Sequence, residues 1–437
     1  MNTADSLRVA SALERLGYEP VFTADQADVI VLNTCVVRQS AEDKAYGRLT
    51  SLRPLKERNP DLVINLMGCL VGVRGSNRLQ QAFPYVDVFS PPSDPFPLIE
   101  HLTQRDGHRL DEAETVRRHA LVDGDLPLPK HVRGQLVSAF LPVVCGCSHA
   151  CSFCVIPDRR GPEHSRPLPE IVHQAEALVQ QGVRELTLLG QIVDRYGKDL
   201  PGRPTLADLL GALHPIDGLE RIRFLTSHPN WMVDDLLDAV AALPKVCEHI
   251  EVPVQAGDDQ ILAAMKRGYT ADDYRRLVER IRRRLPGVAI ATDIIVGFPG
   301  ETPAQFQRTA DLLAELRLDV VHLARYSPRP GTVAARRLPD NVPEAEKIRR
   351  FRALEELQER ILTEINSRLR GQRVEVLVEE HHRGRWKGRT RTNKLVFFEA
   401  PGDHRGRLVP VEIEWAGPWS LIGRPVGTSA SVGTQAG

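Results

Sequence analysis

The residues best equipped for chemistry are three cysteines, Cys147, Cys151 and Cys154, in the stretch GCSHACSFC. A C-x3-C-x2-C triplet offers three thiolates, enough to hold three irons of a 4Fe-4S cluster. With no fourth ligand nearby in the sequence, one iron stays open, and an open iron is what reductive cleavage of S-adenosylmethionine (SAM) requires. Zinc sites instead pair C-x2-C arms to reach four ligands, a pattern the triplet does not supply.

The other four cysteines are scattered. Seven in 437 residues are too sparse for a disulfide framework, and an odd count favours metal or redox ligation in a reducing compartment. Cys35 in LNTCVVR and Cys69 in MGC each close an apolar run, and the C-terminal ends of strands are where open α/β sheets place ligands. Cys145 lies two residues before Cys147, so a strand there would put both on one face; Cys247 precedes another expected strand. Both read as packing cysteines.

Charge is balanced, 57 basic against 57 acidic residues, so any nucleic-acid surface must be local. One local run exists: Arg383, Arg385, Lys387, Arg389, Arg391 and Lys394 put cations at alternate positions. On extended chain that alternation suits a phosphate track, although charged edge strands also serve simply to block aggregation. Trp386, among these cations, is equally suited to stacking on a base or to a core. No stretch approaches the ~20 apolar residues of a membrane span, and the start lacks the order of a signal peptide. A cytoplasmic protein with no membrane partner, monomeric by default, is expected.

The elements that must position these residues follow an α/β pattern. Asp5 to Tyr18 reads as an amphipathic helix ended by Gly17; Asp28–Cys35 and Leu62–Cys69 read as strands around a helix at Ser40–Glu57. This is a parallel-sheet α/β domain over residues 1–100, followed by a Pro-rich and polar connector at 101–132. Helices and strands then alternate to Arg325, with Thr302 as N-cap and Pro303 at the first helical position of one unit. Such alternation implies a full or partial (β/α) barrel. Pro343–Leu369 is a long helix, completing a domain at 133–369. Beyond Gly371, the β-prone runs Val374–Val378, Leu395–Phe398 and Leu408–Ile413 suggest a small β-barrel at 370–426, with a disordered tail at 427–437.

The triplet on a β/α barrel resembles the radical-SAM superfamily signature. RRGPEHSR (Arg159–Arg166), TSHP (Thr226–Pro229), VPVQAGDD (Val252–Asp259), TDIIVGFPGET (Thr292–Thr302) and YSPRPGT (Tyr326–Thr332) resemble stretches of the methylthiotransferase family within it. The likeness covers nearly the whole chain, and the last domain resembles the RNA-binding TRAM module.

That resemblance implies two 4Fe-4S clusters and SAM as cofactors. One cluster would sit on Cys147, Cys151 and Cys154, and an auxiliary one on three N-terminal cysteines, of which Cys35 and Cys69 match the second and third. The family's GCQMNxxDS stretch is matched only from Met1 onward (MNTADS). The missing first ligand is therefore expected just upstream, as is the strand that should precede the first helix. A chain complete as it stands would hold that cluster on two thiols or draw on Cys145 or Cys247.

Gln191 (in LLGQ), Gly297 and Glu301 (in GFPGE) are expected near SAM, and Arg385, Lys387, Arg389 and Arg391 on RNA. Ile192 and Glu251 depart from the family's usual Asn and His. The implied reaction is methylthiolation at C2 of an adenine in the tRNA anticodon loop, fed by a flavodoxin or ferredoxin. NTCVVRQSA and LLGQIVDRYG resemble the branch acting on N6-dimethylallyladenosine. The threonylcarbamoyladenosine branch, a ribosomal-protein branch and a noncatalytic Fe-S RNA-binding protein are the alternatives.

Overall fold

The computed structural model describes residues 1–36, 39–75, 77–105 and 128–426. The tail at 427–437 and most of the expected connector lie outside the described residues. The opening helix, Asn2–Arg15, buries Val9 and Ala12. Three strands, β1 (Val29–Thr34), β2 (Val63–Gly68) and β3 (Val88–Ser90), pair in parallel in the order β1-β2-β3. β2 is buried along its whole length, as a central parallel strand covered on both faces must be. The Pro-rich stretch after Ser90 is not all connector: Phe96–Arg105 is a helix with Leu98, Ile99 and Leu102 buried. Pro97 falls in its first turn, where a missing N–H costs nothing, and the first domain consequently runs past residue 100.

The second domain opens with β4 (Ser138–Pro142). A short antiparallel pair, β5 (Val144–Cys145) and β6 (His164–Ser165), flanks the cysteine loop. β7 (Glu185–Leu189) and β8 (Arg221–Leu225) pair in parallel with β4, while β9 (His249–Glu251), β10 (Ala289–Val296) and β11 (Val320–Arg325) form a second parallel set. Backbone bonds from Ile222 to Lys245 (2.7 Å) and from Ser227 to Glu251 (3.0 Å) join the sets across β8 and β9. The six parallel strands thus wrap into a barrel that no ladder closes between β4 and β11 among the described residues. Three of the outer helices start with complete capping boxes, Thr205/Asp208, Thr270/Asp273 and Thr302/Gln305, each satisfying two otherwise orphaned donors. The long helix Glu344–Ser367 packs along β11.

The third domain is a closed five-stranded barrel: β12 (Arg373–His382), β13 (Arg385–Arg389), β14 (Leu395–Phe398), β15 (Leu408–Ala416) and β16 (Leu421–Pro425). Two strands were not legible as apolar runs. β13 alternates outward cations with inward Trp386 and Gly388, so its period of two was carried by charge. Trp386 is 6% exposed and donates from Nε1 to Ala400 O at 3.2 Å; it is a core residue, and the base-stacking reading falls.

The middle barrel is gripped at both ends. After the C-terminal end of β11, Arg329 bonds Val36 O, Gln39 (2.6 Å) and Glu42 (3.1 Å) of the first domain. At the opposite end Arg221, the first residue of β8, reaches Arg389 O (2.6 Å) and Glu375 (3.0 Å) of the third.

Candidate functional site

The chain leaves β5 through Gly146, whose φ is 71° and where an added Cβ would lie 2.0 Å from Pro162 O. Only glycine fits so close a backbone approach. The turn takes Cys147 out of the strand, so the expected shared face with Cys145 does not exist. The loop is then stitched down by Cys147 N to Gly161 O (3.1 Å), Ser152 N to Met265 O (3.0 Å) and Ser152 Oγ to Ala264 O (2.7 Å).

Cys147, Cys151 and Cys154 act electrostatically on one another. Burial pushes the Cys147 thiol up, and the Cys154 thiol up to about 12. Thiols so placed do not ionise for solvent; a metal that takes the thiolate outright ionises them. Among the described residues no three His, Cys, Asp or Glu side chains converge as for a single ion. Three thiols on one loop are an all-sulfur donor set, which fits an iron-sulfur cluster.

The helix Ile156–Arg160 follows the triplet directly and docks on the first domain. Arg159 O accepts from Val73 N (3.0 Å), and Arg160 donates to Ser93 Oγ (3.2 Å) and Asn2 Oδ1 (3.1 Å). Cys69 is 2% exposed; burial raises its thiol, while the hydrogen-bonded Arg160 guanidinium opposes that and Cys35 lies within electrostatic reach. Cys35 and Cys69 directly follow the paired residues Thr34 and Gly68 of β1 and β2, and Cys69 meets this helix at Arg160, the end away from Cys154. Two thiols are two donors, and a cluster there needs a further ligand. Cys145 adjoins this region, sharing Arg160 and Asp5 with Cys69, whereas Cys247 is buried at the far end beside Arg223 and Glu185.

Of the three residues expected near SAM, Gln191 lies two residues past β7 and donates to Met1 Sδ at 2.6 Å, facing the first domain. Glu301 and Gly297 brace the fold. Glu301 accepts from Gly297 N (2.7 Å) and pairs with buried Arg350 (2.6 Å) on the long helix, and a Cβ at Gly297 would meet Lys347 at 2.4 Å. Neither lines the adjoining cavity of about 940 Å³, whose wall includes Cys154, Gln255, Asp293, His322, Tyr326 and Lys347. That volume is ample for a SAM-sized ligand beside a base. His322 also lines a second cavity of about 630 Å³ reaching Glu251, Arg223, Lys394 and Trp419, so the two cavities adjoin at His322. Neither cavity is marked in the sequence, because each is walled by several separate segments; Glu251 stands in the second.

Within it, burial and the neighbouring Asp293 push Glu251 up to about 7. A carboxyl raised in the fold contributes stability that is complete below its ordinary pKa, near 4.5, and is lost as pH rises through about 7. Glu251→Gln, which mimics the protonated form, is expected to remove that dependence. Wild type should lose on the order of 3 kcal/mol relative to the variant between pH 5 and 8, read as diverging unfolding midpoints; parallel profiles would contradict it.

The basic run is less free than its sequence suggests. Arg385 pairs with Glu399 (3.0 Å), Lys387 with Glu380 (2.7 Å) and Arg389 with Glu379 (3.4 Å). Arg391 forks onto Glu248 (2.7 and 2.8 Å) and also donates to Pro244 O and Val246 O, which makes it an interdomain clamp. Exposed aromatic faces lie instead at Trp415 (51%) and Trp419 (60%), which no periodic pattern marked.

An open β/α barrel with a C-x3-C-x2-C loop at its C-terminal mouth defines a radical-SAM protein, and the family models agree. Residues 141–313 match the radical SAM superfamily, 1–90 the uncharacterized protein family UPF0004, and 367–426 the TRAM domain. Among solved structures, the radical SAM methyltransferase TsrM from Kitasatospora setae is 17% identical, with a TM-score of 0.57 over 76% of this chain and 73% of that one. That likeness supports the fold alone. Two relatives bear the name tRNA-2-methylthio-N(6)-dimethylallyladenosine synthase. The one from Herpetosiphon aurantiacus is 47% identical over 99% of this chain and 97% of its own; that from Roseiflexus sp. is 48% identical over 97% and 87%. The chain belongs to the tRNA-2-methylthio-N(6)-dimethylallyladenosine synthase family, and SAM and 4Fe-4S clusters are its cofactors.

Proposed function

We propose that this protein is a cytoplasmic tRNA methylthiotransferase acting at C2 of N6-dimethylallyladenosine beside the anticodon. What supports the reading is that the helix Ile156–Arg160 has the triplet's Cys154 at its start, accepting from Ile156 N at 3.5 Å, and Cys69 beside Arg160 at its end. Cys147, Cys151 and Cys154 would hold the cluster that supplies one-electron cleavage of SAM when bound, and Cys35 and Cys69 would be two ligands of the auxiliary cluster that supplies sulfur. Gln191, past the end of β7, faces the first domain.

A folded stem-loop would lie along these two cavities. β10 alone spans eight residues, roughly 26 Å at ~3.3 Å per residue, and the cysteine loop and small barrel sit at opposite ends of that length. A loop base splayed from its stack reaches the cavity edge-on while the stem rests on the small barrel. Trp419→Ala is accordingly expected to weaken tRNA binding by about 1–2 kcal/mol, as loss of one stacking face does; unchanged filter-binding affinity would remove Trp419 from the track. An electron donor of flavodoxin or ferredoxin type and a monomeric state complete the reading; no described helix is long and apolar enough to cross a membrane.

The test is anaerobic turnover of the iron-loaded protein with SAM, reductant and tRNA bearing N6-dimethylallyladenosine, followed by nucleoside mass spectrometry. A 2-methylthio product supports the assignment. Product only on threonylcarbamoyladenosine tRNA moves it to the sister branch, and absence of 5′-deoxyadenosine makes it a noncatalytic iron-sulfur protein.

A further inference from the structure

Each sulfur of the triplet accepts one hydrogen bond, and only one of the three donors is charged. Cys147 accepts from His149 N (3.4 Å) and Cys154 from Ile156 N (3.5 Å), both backbone groups two residues on. Cys151 accepts from Arg267 Nη1 at 3.1 Å. Arg267 is 5% exposed, and its remaining donors go to neutral oxygens: Nε to Tyr269 Oη (2.8 Å) and Nη2 to Pro253 O (3.1 Å). No carboxylate pairs with it among the described residues. A buried guanidinium without an anion is a costly arrangement, and its position is tightly fixed. Lys266 beside it takes a left-handed φ of 58°, a strained conformation for a non-glycine residue. The Ala264–Met265 segment just before it is the one stitched to the cysteine loop through Ser152. Aromatic rings of Trp231, His149 and His228 pack close by, keeping this side of the loop dry.

We propose that Arg267 is the counter-ion of the triplet's cluster: it holds the Cys151 thiolate by a charged N–H···S bond and raises the cluster's reduction potential. Reduction adds negative charge to the iron-sulfur core, and a fixed cation in a dry, low-dielectric shell stabilises that state more than the oxidised one. Hydrogen bonds to cluster sulfurs act in the same direction. Arg267 touches neither SAM nor substrate in this role; it is a positioning and tuning residue acting through Cys151. The cluster in turn provides the anion that the guanidinium otherwise lacks.

The inference rests on Cys147, Cys151 and Cys154 being the cluster ligands, and its test separates the two. Wild type, Arg267→Gln and Arg267→Lys are loaded anaerobically, assayed for iron and acid-labile sulfide, and titrated under EPR, following the signal that changes when SAM is added. The Gln variant should hold iron as wild type does but show a midpoint potential shifted to more negative values. The Lys variant, which keeps the charge and loses the fork, should shift in the same direction by less. Unchanged potentials in loaded variants overturn the proposal. Loss of iron in both variants, with wild type loaded, makes Arg267 a folding residue and overturns it equally. A wild type without a SAM-responsive cluster would instead fail the ligand assignment.

Discussion

Alanine at Cys147, Cys151 or Cys154 is expected to abolish reductive cleavage of SAM, whereas Cys35→Ala should leave cleavage intact and stop methylthiolation. The division follows from where the sulfurs sit. The triplet occupies one loop at the barrel mouth, pinned through Ser152 and Gly161. With one missing, a cluster that depends on three protein ligands has lost one anchor and the geometry that opens its fourth iron. Cys35 belongs to another domain and is only partly buried, so its loss opens no core cavity. Cys69, at 2% exposed, is the poorer probe, because its truncation also disturbs packing. 5′-Deoxyadenosine formation and the methylthiolated nucleoside, measured on one preparation, check both halves. Loss of cleavage in Cys35→Ala would contradict the separation of roles.

The second large effect is expected at Arg223. Its guanidinium is buried at the junction of the second and third domains, paired with buried Glu185 (2.9 Å) and donating to Thr390 O (2.7 Å) and Arg391 O (2.6 Å). Arg223→Met keeps the apolar stem and deletes the charge. It leaves Glu185 ionisable and dry, with two carbonyls lacking their donor. Breaking one half of a buried pair typically costs ~3–5 kcal/mol, far more than a surface pair. The small barrel should then loosen from the strand N-termini. The expected readout is protease cleavage between the long helix and β12, together with weaker tRNA binding and normal cluster loading. Arg391→Ala at the same junction should cost only about 1 kcal/mol, because Arg391 and Glu248 are both partly solvated. Equal effects at the two sites would show that desolvation is not what makes Arg223 matter.

By itself the sequence determined what neighbours along the chain can determine. Three thiols within eight residues stay close together whether the segment is helix or loop, so a shared donor set was legible from spacing. Likewise the Thr302 cap with Pro303 and the alternation of β and α units follow from local backbone sterics and hydrogen bonding. The helix that crosses residue 100 and strand β16 have no clear local signal, and β13 shows only as alternating charge, because a proline in a first turn and a charge-bearing strand look locally like loop. Tertiary structure alone decided which side chains meet. Arg267 lies 116 residues from Cys151, and Arg391 lies 143 from Glu248. Trp386 faces inward only because β13 is rolled into a closed barrel. The reason is physical: a buried charge takes whichever partner packing puts in reach, and desolvation makes that choice strong without leaving any periodic trace in the sequence.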